Sequence, residues 1–280
     1  MTLFSAGDAS PIERLPLDAC DCHMHLFDTS REPVEGAALT PPTATFEAYQ
    51  GLQQRLGSLR NVFVQPSTYG TDNSLMIDAL KKWRSQARGV AVVNETVTDE
   101  ELDALDNAGV VGVRFNQVQK GATTFSMLGT LVPRLRQRAW HIQFHLTPEQ
   151  LIAEGDALAD LQLPVVLDHF ARIFRSPDIA DLAITTLWRL LRSEHVWLKL
   201  SAPYLASRTG APSFADLSET ARALVQEFPQ RLVWGTDWPH ATETEAPDDA
   251  LLLNWFNEVV PDADTRQRIL VDNPAALYRF

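Results

Sequence analysis

The chain has 280 residues, 45% hydrophobic and 21% charged, and its 24 basic and 36 acidic residues leave a formal net charge of -12. So acidic a surface repels nucleic acid and anionic lipid, which removes both from the expected partners. No apolar run approaches the roughly 18 residues of a membrane span, and "MTLFSAGDASPIERLP" has no basic stretch leading into an apolar core, so a cytoplasmic protein without a signal peptide is expected.

In chain order, "LDACDCHMH" reads as the first strand. Cys20 and Cys22 are too close in sequence for an ordinary disulfide and lack a second pair to complete a zinc site, so they read as small buried hydrophobes. His23 and His25, two apart, project to the same side of an extended strand. "TATFEAYQGLQQRLG" reads as a helix ending at Gly57, and "NVFVQPS" as a second strand. "NSLMIDALKKWRSQ" places Leu75, Met76, Ala79, Leu80 and Trp83 at helical spacing.

"RGVAVV" is a third strand, followed by a helix opening with Thr98 and Glu101 in capping-box order. "GVVGVRFN" is the fourth, with a helix around "MLGTLVPRLRQR". "HIQFHL" is the fifth, and the next helix opens with Thr147, Pro148 and Gln150. "PVVLDHF", "VWLKLSA" and "RLVWGTDWPH" complete eight strands, and "PDDALLLNWFNEVV" and "ADTRQRILVDNPAALYRF" read as closing helices.

Eight strand-helix units in a chain of this length predict an α/β fold of the (β/α)8 barrel type with parallel strands. The strands are apolar and β-branched, as for parallel strands buried on both faces. A doubly wound sheet is disfavoured, since no G-x-G-x-x-G or Walker loop follows any strand. Residues 1–16 are expected to form an N-terminal tail and 17–280 a single barrel domain.

Barrel enzymes carry their chemistry at the C-terminal ends of the strands. There the sequence places His23 and His25, Ser67, Arg114 with Asn116 and Lys120, His145, His169, Ser201 with Tyr204, and Asp237 with His240. Four histidines and an aspartate around one mouth suit activation of a carbonyl. A carboxylate takes the proton of water, while imidazoles or a metal meet the developing oxyanion. Between walls such as Trp234 and Trp238, Asp237 is expected to have a raised pKa. Lys199, on one strand face with Trp197 and Ser201, reads as an interior lysine neutralised by a barrel carboxylate, and Arg172 as a brace for the loop after strand six.

The strand-one "HMH", His145, His169 in "LDHFAR" and Asp237 in "WGTDWPH" resemble the amidohydrolase superfamily over essentially the whole chain. With "VQPSTYGTDN", "GVRFN" and "KLSAPY", the set looks most like the branch containing 2-pyrone-4,6-dicarboxylate lactonase and D-galactarolactone isomerase. The resemblance implies hydrolysis, or intramolecular isomerisation, of a carboxylate-bearing lactone. It makes Asp237 the general base and has His23, His25 and His169 polarise the lactone carbonyl. Arg114 and Arg208 would hold substrate carboxylates, Ser67 would contact substrate, and Lys120 would stand for a second cation after strand four. Tyr204 and His240 are further candidates for substrate contact.

The resemblance leaves the cofactor open. Either none is required, or one zinc or manganese ion is held by His23, His25, His145 and Asp237, a donor set those metals accept. A mononuclear metal-dependent decarboxylase of the same superfamily is the alternative activity, and a binding protein on an inactive barrel is the alternative class.

Overall fold

A computed structural model describes residues 3–119 and 121–280. In chain order the elements are β1 (Cys20–Met24), α1 (Phe46–Leu56), β2 (Arg60–Val64), α2 (Ser74–Trp83), β3 (Ala87–Ala91), α3 (Asp99–Ala108), β4 (Val110–Asn116), α4 (Leu128–Gln137), β5 (His141–His145) and α5 (Pro148–Asp160). They continue as β6 (Val165–Leu167), α6 (Ala180–Leu191), β7 (Val196–Ser201), α7 (Pro203–Ala206), α8 (Ala215–Glu227), β8 (Leu232–Gly235), α9 (Asp249–Val259), α10 (Ala263–Gln267) and α11 (Asn273–Tyr278).

Local sequence explains several boundaries. Thr98 and Thr147 each accept a hydrogen bond from the third helical N–H, while Glu101 and Gln150 return one, giving the two expected capping boxes. Gly57 ends α1 at φ 102°, a left-handed conformation that a residue with a Cβ adopts only at a cost.

The eight strands form one parallel sheet in sequential order, and the (β/α)8 expectation holds. The seam between β1 and β8 is closed by backbone bonds. The Asp237 N–H donates to the His23 carbonyl and the His25 N–H to the Trp238 carbonyl, each at 2.8 Å. Asp21 brackets the same seam, its buried carboxylate accepting from Tyr49 Oη (2.7 Å), Thr236 Oγ1 (2.6 Å), Thr236 N (2.9 Å) and His23 N (3.1 Å).

Two apolar layers hold the barrel. Leu52, Leu80, Leu102, Leu135, Leu151, Leu187 and Leu224 pack helices onto the outside of the sheet. Inside, Cys20, Cys22, Val62, Val64, Val90, Val111, Val166 and Val233 meet Tyr278 of α11, which plugs the floor. The cysteines are therefore packing groups, and both are free.

Strict alternation would send the cysteines and the histidines to opposite faces of β1. The β1–β2 register instead slips between Asp21 and Met24, and this bulge puts Cys20, Cys22, His23 and His25 all on the barrel interior. The slipped backbone runs close to β8, where a Cβ on Gly235 would lie 2.7 Å from His23 N and 2.8 Å from His23 Cβ. Glycine is what lets the bulge close against that strand.

Residues 3–16 lie against the barrel. Trp238 Nε1 donates to the Leu3 carbonyl at 3.0 Å, Ala6 N to the Pro247 carbonyl at 2.9 Å, and Ile12 N to Asn254 Oδ1 at 2.8 Å. Among the described residues no helix is long and apolar enough to cross a membrane.

Candidate active site at the barrel mouth

His23, from the bulged end of β1, is the hub. Its Nε2 lies 3.2 Å from His25 Nε2 and 3.5 Å from Asp237 Oδ1, and its Nδ1 lies 3.3 Å from both Asp168 Oδ1 and Lys199 Nζ. His25 donates Nδ1–H to the Val64 carbonyl at 2.7 Å, leaving its Nε2 lone pair toward His23 and Asp237. Two imidazole lone pairs 3.2 Å apart repel, so a proton or a cation stands between them. When Lys199 donates to His23 Nδ1, the His23 proton moves to Nε2 and bridges to His25. When His23 Nδ1–H donates to Asp168, both Nε2 atoms offer lone pairs.

Asp237, in the turn beyond β8 at φ 70°, directs Oδ1 at three imidazoles: His23 Nε2 (3.5 Å), His25 Nε2 (3.6 Å) and His169 Nε2 (3.8 Å). Its Oδ2 accepts from the Tyr204 hydroxyl at 2.9 Å. Burial pushes this carboxyl up, but the surrounding imidazoles, His169 foremost, outweigh it and hold Asp237 below the ordinary carboxylate range. The expected raised pKa is thus corrected. Trp234 packs outward on Phe256, and Trp238 packs on Phe4 and Tyr49, so neither walls the carboxylate.

His169 opens a turn in which His169, Phe170, Ala171 and Arg172 all have φ between 51 and 55°. Four consecutive left-handed residues without glycine cost roughly 1–2 kcal/mol each. The turn aims the His169 ring between those of His23 (4.6 Å) and His145 (4.9 Å), with Nδ1 held 2.9 Å from Ser201 Oγ. It also brings Arg172 Nη1 to 3.5 Å from His145 Nε2. His23, His145 and His169 are all lowered, in each case first by burial, and are neutral at neutral pH.

The sequence did not single out Asp168. It is fully buried, accepts from Gln143 Nε2 at 3.0 Å, and sits 3.5 Å from both Lys199 Nζ and Arg114 Nε. Burial works against its charge, yet His23 and Lys199 hold it well below its ordinary value. Lys199 is neutralised as read, donating also to Gln143 Oε1 (2.7 Å) and the Cys22 carbonyl (2.9 Å). An aspartate directly before a strand-end histidine was the available signal.

The mouth above these groups is a narrow cleft lined by His25, His145, His169, Asp237, Arg114 and Ser67, with Phe27 and Leu205 among its apolar walls. Ser67 accepts from Asn116 Nδ2 at 2.9 Å. Among the described residues no acceptor binds the terminal nitrogens of Arg114. Lys120 lies outside the described residues. Arg208 is on the surface, with Nε 3.8 Å from Asp216, and is not part of the lining. Tyr204 and His240 stand behind Asp237, and both ring nitrogens of His240 are taken by protein groups. A larger groove between α2 and α3, about 1170 Å³, has no histidine or arginine in its lining.

The donor spacings of 3.2, 3.5 and 3.6 Å among His23, His25 and Asp237 fit one divalent cation. Bonds of about 2.0–2.1 Å in a tetrahedron have edges near 3.3 Å. His145 does not join this cluster. It lies against His169 and Arg172, in surroundings whose positive charge suits an anion better than a metal.

A bulge-mounted H-x-H, a strand-six histidine and a strand-eight aspartate in a (β/α)8 barrel define the amidohydrolase class. The chain matches the amidohydrolase family over residues 20–280 and belongs to it. It is 35% identical to a 2-pyrone-4,6-dicarboxylate hydrolase of Comamonas testosteroni, over 98% of this chain and 94% of the relative. It is 36% identical to a 4-sulfomuconolactone hydrolase of Rhizobium radiobacter (94% and 91%) and 29% to a D-galactarolactone isomerase of Agrobacterium fabrum (97% and 94%). The crystal structure of a probable 2-pyrone-4,6-dicarboxylic acid hydrolase from Acinetobacter baumannii, with citric acid bound, superposes with a TM-score of 0.85 at 28% identity, covering 94% of this chain and all of that one.

Proposed function

We propose that the protein opens lactones that carry anionic substituents, by hydrolysis. The observation that carries this is Asp237, an ionised carboxylate with one oxygen aimed among three imidazole nitrogens, beside an arginine whose terminal nitrogens are open to the mouth. The names of the relatives support the lactone class, and the Acinetobacter structure shows that a relative binds a polycarboxylate, citric acid.

In this reading Asp237 Oδ1 takes a proton from water as the water oxygen bonds to the lactone carbonyl carbon. Imidazole N–H groups of His23 and His169 meet the charge that builds on the carbonyl oxygen. The ring C–O bond then breaks, and the departing oxygen recovers the proton from Asp237, giving a hydroxy acid. Arg114 forks onto a substituent carboxylate or sulfonate, and His145, with Arg172 beside it, adds to the anion-attracting side of the mouth. A divalent cation, when bound by His23, His25 and Asp237, supplies Lewis-acid polarisation of the carbonyl. A substrate hydroxyl in place of water turns the same residues to isomerisation.

The test is a panel of 2-pyrone-4,6-dicarboxylate, 4-sulfomuconolactone, aldaric-acid lactones and neutral lactones, followed by product mass. Gain of one water on an anionic member is the expected result; an unchanged mass with a new isomer redirects the reading to isomerisation. Turnover confined to neutral lactones, or none across the panel, overturns it. Metal content of the purified protein, with activity before and after chelation, decides the cofactor.

A further inference from the structure

Behind Asp237 the barrel holds a second set of polar groups, His240 and Asp249 buried and Tyr204 partly so, that line no part of the mouth. The Tyr204 hydroxyl is 2.9 Å from Asp237 Oδ2 and 2.9 Å from His240 Nδ1, and His240 Nε2 is 3.1 Å from Asp249 Oδ2. Tyr204 comes from α7, Asp237 and His240 from the segment after β8, and Asp249 from the first turn of α9. His240 is at φ 57°, held by its N–H to the Asp237 carbonyl at 2.9 Å and by its carbonyl from Glu243 N at 2.8 Å. His240 and Asp249 are both 1% exposed.

Counting protons along this chain fixes the direction of every bond. A phenol has one proton and faces two neighbours. An ionised carboxylate only accepts, so the phenol proton belongs to Asp237 Oδ2. The contact between Tyr204 and His240 must then be made by an Nδ1–H of the histidine. Asp249 also only accepts, so Nε2 carries a proton too. His240 is therefore an imidazolium, ion-paired with Asp249 in the interior. Burial opposes that charge, but Asp249 in direct contact, with Asp237 and Asp21 farther off, raises the imidazole above its ordinary value.

We propose that the His240–Asp249 ion pair is a positioning device for the base: it makes the Tyr204 hydroxyl a one-way donor to Asp237 Oδ2 and so leaves Oδ1 as the one carboxylate oxygen that takes the proton of the attacking water. This rests on Asp237 acting as base. If His240 were neutral at Nδ1, the phenol proton would be shared with the imidazole, and the Asp237 carboxylate would lose the bond that sets its rotation. Tyr204, His240 and Asp249 act through Asp237 and are positioning residues.

The experiment is a double-mutant cycle in the full chain on an anionic lactone it opens. Tyr204→Phe and His240→Asn should each lower kcat by about 10- to 100-fold, the loss expected for one hydrogen bond to a charged group, with KM within about 2-fold. Asparagine is chosen because it tolerates the left-handed backbone. In the Tyr204→Phe background, His240→Asn should cost no more than about 2-fold further. Effects that multiply, a loss carried by KM, or full activity in either single variant overturns the proposal. Should His240→Asn fail to fold, Asp249→Asn takes its place in the same cycle.

A readout independent of turnover is the two-bond ¹H–¹⁵N spectrum of histidine-labelled protein near neutral pH. It should contain a doubly protonated imidazole that disappears in His240→Asn, and its absence in the wild-type chain overturns the proposal. Failure of the base reading is distinguishable: Asp237→Asn with normal turnover removes the base, whereas an inactive Asp237→Asn with multiplicative Tyr204 and His240 effects removes only the positioning device.

Discussion

Two aspartates touch the same imidazole from opposite sides. Asp168 faces His23 Nδ1 at 3.3 Å and Asp237 faces Nε2 at 3.5 Å, yet their surroundings differ in kind. Asp168 has no exposure and is flanked by two basic side chains, Lys199 and Arg114, at 3.5 Å each. Asp237 has imidazoles and a phenol for company and one oxygen turned to the mouth. Both carboxyls are held below the ordinary range, but Asp168 is closed in by charged partners whereas Asp237 lines the mouth, where a water can reach it. In the reading proposed above, Asp168 belongs to structure and Asp237 to chemistry.

The contrast breaks most sharply under substitution. Asp237→Asn is expected to lower kcat by about 10³-fold or more with thermal unfolding unchanged, since it removes the base and keeps the shape; near-normal kcat in a steady-state assay would make the two aspartates equivalent. Asp168→Asn should do the reverse and lower stability by about 3–5 kcal/mol, because it strands Lys199 and Arg114 without their counter-ion. An unshifted urea midpoint would deny Asp168 its structural part.

Below these in size is a pH effect from the same interior. His141, under Gln143 on β5, is lowered to about 3, chiefly by burial. The unfolded chain protonates it near 6.5, so stability is lost progressively as pH falls from 6.5 toward 3. Full burial makes that loss on the order of 4 kcal/mol across the window. A urea midpoint that stays flat between pH 6.5 and 4 would contradict it. Arg114→Met should raise KM for anionic lactones about 10- to 100-fold while sparing neutral ones. Arg208→Ala should change either substrate class less than about 2-fold, as an exposed pair with Asp216 predicts.

The barrel was legible because its signals are local and repeated. Eight apolar runs, capping boxes at Thr98 and Thr147 and a glycine at the end of α1 each specify their own element. The mouth was legible as a list of residues at strand ends, but its geometry was not. Alternation put the cysteines and histidines on opposite faces, and only the register between β1 and β2 reveals the bulge that unites them. Asp237 was read against Trp234 and Trp238, which are sequence neighbours that point away, while its real environment comes from β1, β6 and α7. Arg208 is close to the mouth in sequence but turned to solvent by its pair with Asp216. Asp168 offered only its place before a strand-end histidine and Asp249 no motif at all, because a buried counter-ion is defined by what reaches it from distant strands.

The hydrogen bond from Asp237 to the His23 carbonyl, described above as part of the seam, also sets when activity can exist. The two residues stand near opposite ends of the chain, with His23 and His25 on one side of that join and Asp237 on the other. On a ribosome, no fragment that lacks the eighth strand carries a working centre, however well its earlier strands have paired. In refolding, lactone turnover should return together with ring closure and never ahead of it. Catalysis is thereby a report on a barrel closed through its eighth strand.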